Sequence, residues 1–383
     1  MIDTKHLQNV FSSRFGGNGI AFSAPGRINL IGEHTDYNGG FVFPGAVAQG
    51  ITAVIRPNGT NTVNAYASDL QLAFSFPVEG EWQGPVASMY LYGVVRELQA
   101  AGVHVAGFDT VYGGDVPLGA GMSSSAALEC CFAFALNDLF HGHLDRMTMA
   151  RIGQATEHKY VGVKCGIMDQ FASMHGRKGS LVRLDCRSGE YQYFPWNPDG
   201  YSLLLVNSCV KHELVGSPYN DRRASCERVA AAAGVATLRD CSWQQLEALR
   251  PTLSDEDYRR ARYVLGEADR VKAVGDALEH NNYPEVGRQM YLTHNGLSHD
   301  YEVSCPELDF LVDEARRLGV TGARLMGGGF GGCTINLIAN NIVPLFIHEV
   351  SRTYSDRFGV ACSFIPVVIG DGARRLDMTT PQQ

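Results

Sequence analysis

The chain has 383 residues, of which 45% are hydrophobic and 19% charged, with a formal net charge of -8 at pH 7. That length exceeds the size at which one hydrophobic core stops growing and predicts two domains in one compact body, while the composition excludes extensive disorder. The charge is spread along the chain with no basic block, which argues against a nucleic-acid or anionic-membrane surface.

The opening stretch MIDTKHLQNVFSSRFGG has no apolar core segment and no small-residue cleavage pattern, so no signal peptide is expected, and no later run is long enough to span a membrane. The first chemical landmark is APGRINLIGEHTDYNGG, residues 24–40, in which Arg27, Glu33, His34 and Asp36 stand between the apolar runs Ile28–Ile31 and Phe41–Phe43. Glu, His and Asp in one turn offer the fixed donors and acceptors that a sugar's hydroxyls require. On these residues alone a hydrophilic hairpin loop with solvated charges remains the alternative. Short β-type runs at Gly50–Ile55 and Thr62–Tyr66, punctuated by Gly, Asn and Pro, predict a sheet over residues 19–113.

The pattern changes at VPLGAGMSSSAALE, residues 116–129. A glycine loop feeding a helix N-terminus offers unpaired N–H groups and a positive dipole end, which suits a phosphate, and the serine hydroxyls add donors and a hard-oxygen metal ligand. Simple helix capping by serine is the competing explanation. No GK[ST] follows the glycines, so this is not a Walker A loop. Leu128, Cys131, Phe132, Ala135, Leu136 and Leu139 then recur at helical spacing, and a second helix is expected over Thr148–Val161.

Strands are expected at Ser180–Leu184 and in the apolar run Leu203–Val206, after which the chain turns mainly helical. Asp255, Glu256 and Asp257 open one helix; Pro306 opens another, with Leu308, Leu311, Val312, Ala315 and Leu318 as its buried stripe and Gly319 as its stop. LMGGGFGGC, residues 325–333, satisfies GxGxxG by spacing but precedes the strand-like CTINLI instead of opening a helix, so it is not read as a dinucleotide site. Its five glycines around Phe330 permit close approach to a ligand or to another loop, or form a plain turn. The tail reads as strand Cys333–Ile338, helix Pro344–Phe358 stopped by Gly359, and strand Ser363–Ile369. The alternation predicts an α+β architecture divided near residue 200, into an N-terminal domain over 1–200 and a C-terminal domain over 201–383. The ten cysteines are scattered and lack CxxC spacing, as expected of reduced thiols in a cytoplasmic protein. No GxSxG elbow and no HExxH motif is present.

The three glycine-containing segments, in this order, resemble the GHMP small-molecule kinases, and GRINLIGEHTDYNGG is similar to the galactokinase signature. CGIMDQ at 165–170, DCRS at 185–188 and VGSPYNDRR at 215–223 agree with it. The resemblance implies a two-domain GHMP kinase fold, with an N-terminal domain like ribosomal protein S5 domain 2, a ferredoxin-like C-terminal domain and an active site between them. It implies transfer of the ATP γ-phosphoryl group to the C1 hydroxyl of galactose, with Asp169 as the catalytic carboxylate and Arg27 stabilising the transferring group. Glu33, His34, Thr35, Asp36 and Tyr219 are then the expected sugar-binding residues. Ser68, Gly119, Ala120, Gly121, Met122, Ser123, Ser124 and Ser125 are the expected ATP contacts, and Ser125 and Glu157 the ligands of a Mg²⁺ cofactor. A kinase for N-acetylgalactosamine or arabinose is the alternative, as is a catalytically weak galactose sensor; the intact Ser125-Ala126, Asp169 and Arg27 favour turnover. No obligate protein partner is expected. Lys164 stands where many relatives carry Asn, and Met122 where Leu is common.

Overall fold

A computed structural model describes residues 3–117, 119–196, 198–211 and 217–377. The first half runs α1 (Thr4–Phe15), β1 (Ile20–Asn29), β2 (Phe41–Val42), β3 (Pro44–Pro57), β4 (Thr62–Ala67), β5 (Leu72–Pro77), α2 (Met89–Ala100), β6 (Phe108–Gly114), α3 (Ser124–Leu139), α4 (Arg146–Thr156), α5 (Met168–His175), β7 (Ser180–Asp185) and β8 (Tyr191–Pro195). The second runs β9 (Tyr201–Lys211), α6 (Ser217–Ala232), α7 (Trp243–Leu249), α8 (Asp255–Glu279), α9 (Tyr283–Asn295), α10 (Pro306–Arg317), β10 (Gly322–Leu325), β11 (Gly331–Ala339), α11 (Val343–Phe358), β12 (Ser363–Pro366) and β13 (Arg374–Arg375).

Side-chain alternation along the strands explains the layers. The larger sheet has the order β13-β1-β3-β6-β4-β5. On one face Ala21 and Val54 meet Leu7 and Phe11 of α1; on the other Phe22, Ala53 and Ile55 meet Leu91, Val95, Cys131 and Phe132 of α2 and α3. A second sheet, β10-β11-β9-β12, is likewise covered on both sides. In β9, Leu203 and Leu205 pack toward α8 and α9, whereas Leu204 and Val206 pack toward α10 and α11. A small sheet, β2-β7-β8, completes the first half.

The two halves share a core. Ile28, Leu30 and Met122 from the first lie in one cluster with Leu205, Val271 and Ile335 from the second. Full burial of one such side chain contributes about 1.5–3 kcal/mol, so a cluster of this kind fixes the halves around their cleft. The tail crosses back as well: Ile369 bridges Val47, and β13 pairs with β1 through Phe22 opposite Arg375.

Most expected elements form where the pattern places them. α8 opens on its three acids, with the Ser254 side chain accepting from the Asp257 N–H. α10 opens on Pro306 and buries Leu308, Leu311, Val312 and Ala315 of the anticipated stripe, with Leu318 half-buried at its C-cap, and α11 stops at left-handed Gly359. The helix expected over Thr148–Val161 differs at both ends. It begins at Arg146 because Asp145 caps it, and its last turn, Glu157–Val161, is π-helical. Such a wide turn re-aims side chains, and here it starts on Glu157. The last expected strand ends at Pro366, three residues early, because the chain then leaves that sheet for the larger one.

Candidate active site

β1 and β3 change register between Pro25 and Arg27, and this irregularity brings the β1 backbone onto the loop before α3. The Arg27 N–H donates to the Met122 carbonyl at 3.0 Å. Only glycine fits beside it, since a Cβ at Gly26 would lie 2.5 Å from that carbonyl oxygen. The Arg27 guanidinium then grips Asp169, on the first turn of α5, with Nε to Oδ1 at 2.8 Å and Nη2 to Oδ2 at 3.0 Å. Its Nη1 donates to the Gly121 carbonyl, and the Ser123 hydroxyl donates to Asp169 Oδ2. The Arg27 side chain is 5% exposed and that of Asp169 28%, so the carboxylate is partly open to solvent while the guanidinium is buried behind it. Burial alone would lower the Arg27 pKa, but Asp169 and Glu33 overcome it and the net shift is upward, which keeps the guanidinium charged.

The glycine loop is shaped by left-handed residues: φ is 73° at Gly119, 65° at Gly121 and 57° at Ser123. Helix capping does not explain the first serine. Ser123 occupies the cap position of α3 but makes no side-chain cap bond, because its hydroxyl is turned to Asp169. The start of α3 therefore presents uncapped N–H groups and its positive end beside Arg27. Ala120 and Met122 point into the core, so only their backbones can reach a ligand. The third glycine segment is the loop's support. A Cβ at Gly332 would lie 3.1 Å from the Gly119 carbonyl oxygen, one at Gly121 would lie 3.2 Å from that of Met326, and one at Gly327 would lie 3.4 Å from that of Gly121. Close approach to another loop, and not a plain turn, is what those glycines permit. Ser68, after the end of β4, donates its N–H to the Tyr112 carbonyl of β6.

The Ser125 side chain, on the first turn of α3, faces Glu157 and favours its charged form. Glu157 is 6% exposed, and burial, followed by the charge of Asp169, pushes its carboxyl up to about 7. A hydroxyl and a destabilised carboxylate side by side suit a small hard cation whose remaining ligands come from phosphates and water. Among the described residues no group of three His, Cys, Asp or Glu could hold a metal by itself.

The segment after β1 forms the other wall. Glu33 is 2% exposed, and its Oε1 accepts from the Gly327 N–H at 2.7 Å and from Arg324 Nη1 at 3.1 Å. Arg324, fully buried, also donates to the carbonyls of Asn29, Leu30 and Leu325. His34 adopts a φ of 60°, and burial lowers its pKa to about 3, so it is neutral. Its Nε2 lies 3.3 Å from the Gly328 carbonyl, which can only accept, so Nδ1 accepts from the Tyr37 hydroxyl at 2.8 Å. Both ring nitrogens are thereby engaged within the protein. Asp36 Oδ1 accepts from the Tyr37 N–H, and burial, then the Asp169 charge, raises its carboxyl to about 7. The Tyr219 ring lies tilted 5.5 Å from that of His34 and edge-on 5.7 Å from that of Tyr37.

Thr35 requires a correction. It is 1% exposed, and its hydroxyl is within 2.8 Å of the Gly32 carbonyl and 2.7 Å of the Phe41 carbonyl, so it closes the loop and does not face the cleft. Lys164 is exposed and contributes its carbonyl to Arg223. Val215 and Gly216 of the VGSPYNDRR segment lie outside the described residues. Sequence reasoning missed Arg324, which stands one residue before the third glycine segment with no local sign of burial. It also missed Gly166, where a Cβ would lie 1.9 Å from Asp36 Oδ2.

Family models match three stretches: the galactokinase galactose-binding signature over residues 9–57, the GHMP kinase N-terminal domain over 89–177 and the GHMP kinase C-terminal domain over 276–352. A galactokinase of Exiguobacterium sibiricum is 38% identical over 97% of this chain and 98% of its own. A human galactokinase is 39% identical over 96% of this chain and 95% of its own. The crystal structure of Lactococcus lactis galactokinase complexed with galactose superimposes with a TM-score of 0.92 at 34% identity, covering 97% of this chain and 99% of that one. The Methanococcus jannaschii mevalonate kinase, at 16% identity and a TM-score of 0.67, shares the fold. With full-length identity at this level, a matching fold and matching domain models in order, the chain belongs to the galactokinase family of the GHMP kinases, ATP-dependent sugar kinases of two-domain α+β fold.

Proposed function

We propose that this chain transfers the γ-phosphoryl group of ATP to the C1 hydroxyl of galactose, releasing galactose 1-phosphate and ADP. The observation that carries this reading is the convergence of Arg27, Asp169 and Ser123 at the uncapped start of α3. Phosphoryl transfer depends on positioning and charge stabilisation, and a carboxylate aimed at the acceptor with a guanidinium beside it meets that need. In this reading Asp169 receives or orients the proton of the sugar hydroxyl, and Arg27 balances charge on the group in transit. The loop Gly119–Ser125 cradles the phosphates with backbone N–H groups.

Asp36, Tyr219 and the oxygen of Glu33 not held by Arg324 bind sugar hydroxyls, while His34 acts by shape and through its backbone. The fit of Ser125 and Glu157 supports Mg²⁺ as the cofactor, which when bound would neutralise phosphate charge and orient the triphosphate. We further assign a domain division near residue 200 and a cytoplasmic location; no helix among the described residues is long and apolar enough to cross a membrane. The test is ADP release by the purified protein against a sugar panel with Mg²⁺ and ATP. Turnover with galactose supports the reading. Preference for N-acetylgalactosamine or arabinose would reassign the substrate, and galactose binding without turnover would make the chain a sensor.

A further inference from the structure

Behind the cleft, α3 and α5 meet through two buried polar side chains that the reaction itself does not use. Glu129, one turn beyond Ser125, is 0% exposed, and Gln170, the neighbour of Asp169, is 1% exposed. Gln170 Nε2 donates to Glu129 Oε2 at 3.1 Å. The second oxygen of each group, Glu129 Oε1 and Gln170 Oε1, is buried without a hydrogen-bond partner among the described residues. Two bare acceptors on one already bonded pair form an unfavourable arrangement, because buried polar groups are almost always satisfied.

A single proton satisfies both. A carboxylate only accepts, whereas a carboxylic acid has one O–H to give, and a carboxamide carries the complementary donor and acceptor. With the proton on Glu129 Oε1 the two groups close a ring: amide N–H to acid carbonyl, acid O–H to amide carbonyl. The compartment is tight. On α4 a Cβ at Gly153 would lie 2.9 Å from Gln170 Cγ and 3.1 Å from Glu129 Oε2, so no side chain fits there. The charges that face Glu129 are those of Glu157, from the π-helical turn after α4, and Asp169, from α5, both acidic; the Tyr90 hydroxyl of α2, the Cys130 thiol of α3 and the Cys165 thiol before α5 also face it. Burial pushes the Glu129 carboxyl well above the usual range, in the direction the hydrogen-bond argument requires.

We propose that Glu129 is held as a neutral carboxylic acid in a cyclic acid–amide pair with Gln170, and that this pair positions Asp169 by fixing α5 to the helix that ends the phosphate loop. Glu129 and Gln170 are positioning residues, and only the effect on turnover rests on the galactokinase reading. Infrared difference spectra of the full chain, wild type minus Glu129→Gln at pH 7, should contain a protonated carboxyl C=O band that shifts in D₂O. In steady-state assays Glu129→Leu, which strands the Gln170 amide, lowers kcat about 10-fold or more with KM for ATP changed by less than about 2-fold. Glu129→Gln rescues most of that loss, because an amide also offers one donor and one acceptor to Gln170. Absence of the carboxyl band, or a Gln variant as impaired as the Leu variant, overturns the proposal. Should Glu129→Leu fail to fold, the band and the kcat of Glu129→Gln against wild type decide it. Absence of turnover with galactose in the wild type would refute the substrate assignment and leave the infrared result standing.

Discussion

Gly166 stands three residues before Asp169 with its backbone against Asp36, and its φ is not left-handed, so alanine there meets no backbone strain. The methyl would nonetheless lie 1.9 Å from Asp36 Oδ2, 2.1 Å from its Cγ and 2.7 Å from its Cβ. Ordinary contact begins at 3.4 Å, so the Asp36 carboxylate or the 165–167 backbone must retreat by about 1.5 Å in a well-packed wall. Overpacking of this kind costs about 1–3 kcal/mol, and a misplacement near 1 Å at a reacting centre costs about 100-fold. Because the displaced group is one proposed to bind the sugar, Gly166→Ala should raise KM for galactose about 10- to 100-fold and move KM for ATP less than about 2-fold. ADP release with each substrate titrated separately measures this, and a thermal melt checks the fold. A folded Gly166→Ala protein with KM for galactose unchanged would refute both the placement of Asp36 and its role.

Three further outcomes follow from the same geometry. Asp169→Asn keeps two oxygen- or nitrogen-bearing arms near Arg27 but loses the carboxylate, so kcat falls about 1,000-fold or more while calorimetry still detects galactose binding; unchanged kcat would remove Asp169 from the mechanism. Asp36 has a folded pKa of about 7 against an ordinary 3.8, so between those values the folded state binds more protons than the unfolded state. Its contribution is present below about pH 4 and lost as pH rises toward 7, with a slope of at most about 1.4 kcal/mol per pH unit; denaturant melts across this range should flatten in Asp36→Asn, and an identical slope refutes the shift. Ser125→Ala and Glu157→Gln should each raise the Mg²⁺ concentration for half-maximal rate about 10-fold without altering galactose affinity, and an unchanged Mg²⁺ curve would place the ion elsewhere.

How far the sequence foretold this site depended on whether the signal was local. The α3 stripe, the acidic opening of α8 and Pro306 at the start of α10 are decided by near neighbours, and they form as expected. The glycine-rich segments announce tight backbone, but not what it approaches: only in space does Gly332 meet Gly119 and Gly327 meet Gly121. Arg324 reads as an ordinary strand arginine until its guanidinium is found against Glu33, 291 positions away. Thr35 shows the converse error. In sequence it shares the polar character of Glu33 and Asp36, yet its one O–H is held between two nearby backbone carbonyls, which no pattern of residue types reveals. Glu157 was the least conspicuous acid, and the π-helical turn that aims it was invisible to a 3.6-residue period.

The charges of the cleft carry a last consequence. Glu33 is paired with Arg324 and Asp169 with Arg27, but Asp36 and Glu157 have no salt-bridge partner among the described residues, and burial raises both to about 7. A triphosphate held as proposed adds more negative charge next to Glu157, where the start of α3 offers about half a positive charge and Arg27 is already paired with Asp169. A unit charge about 5 Å from a phosphate oxygen costs about 3 kcal/mol at an effective dielectric of about 20, more than that helix end recovers. Nucleotide should therefore bind well only in company with a divalent cation. Titration calorimetry of ADP in EDTA against ADP with excess Mg²⁺ should show affinity at least about 10-fold weaker without the metal, with the gap narrowed in Glu157→Gln, whose neutral amide no longer repels the phosphates. Equal affinity in both buffers would mean that the phosphates do not lie beside Glu157, and the arrangement of the nucleotide along α3 would have to be redrawn.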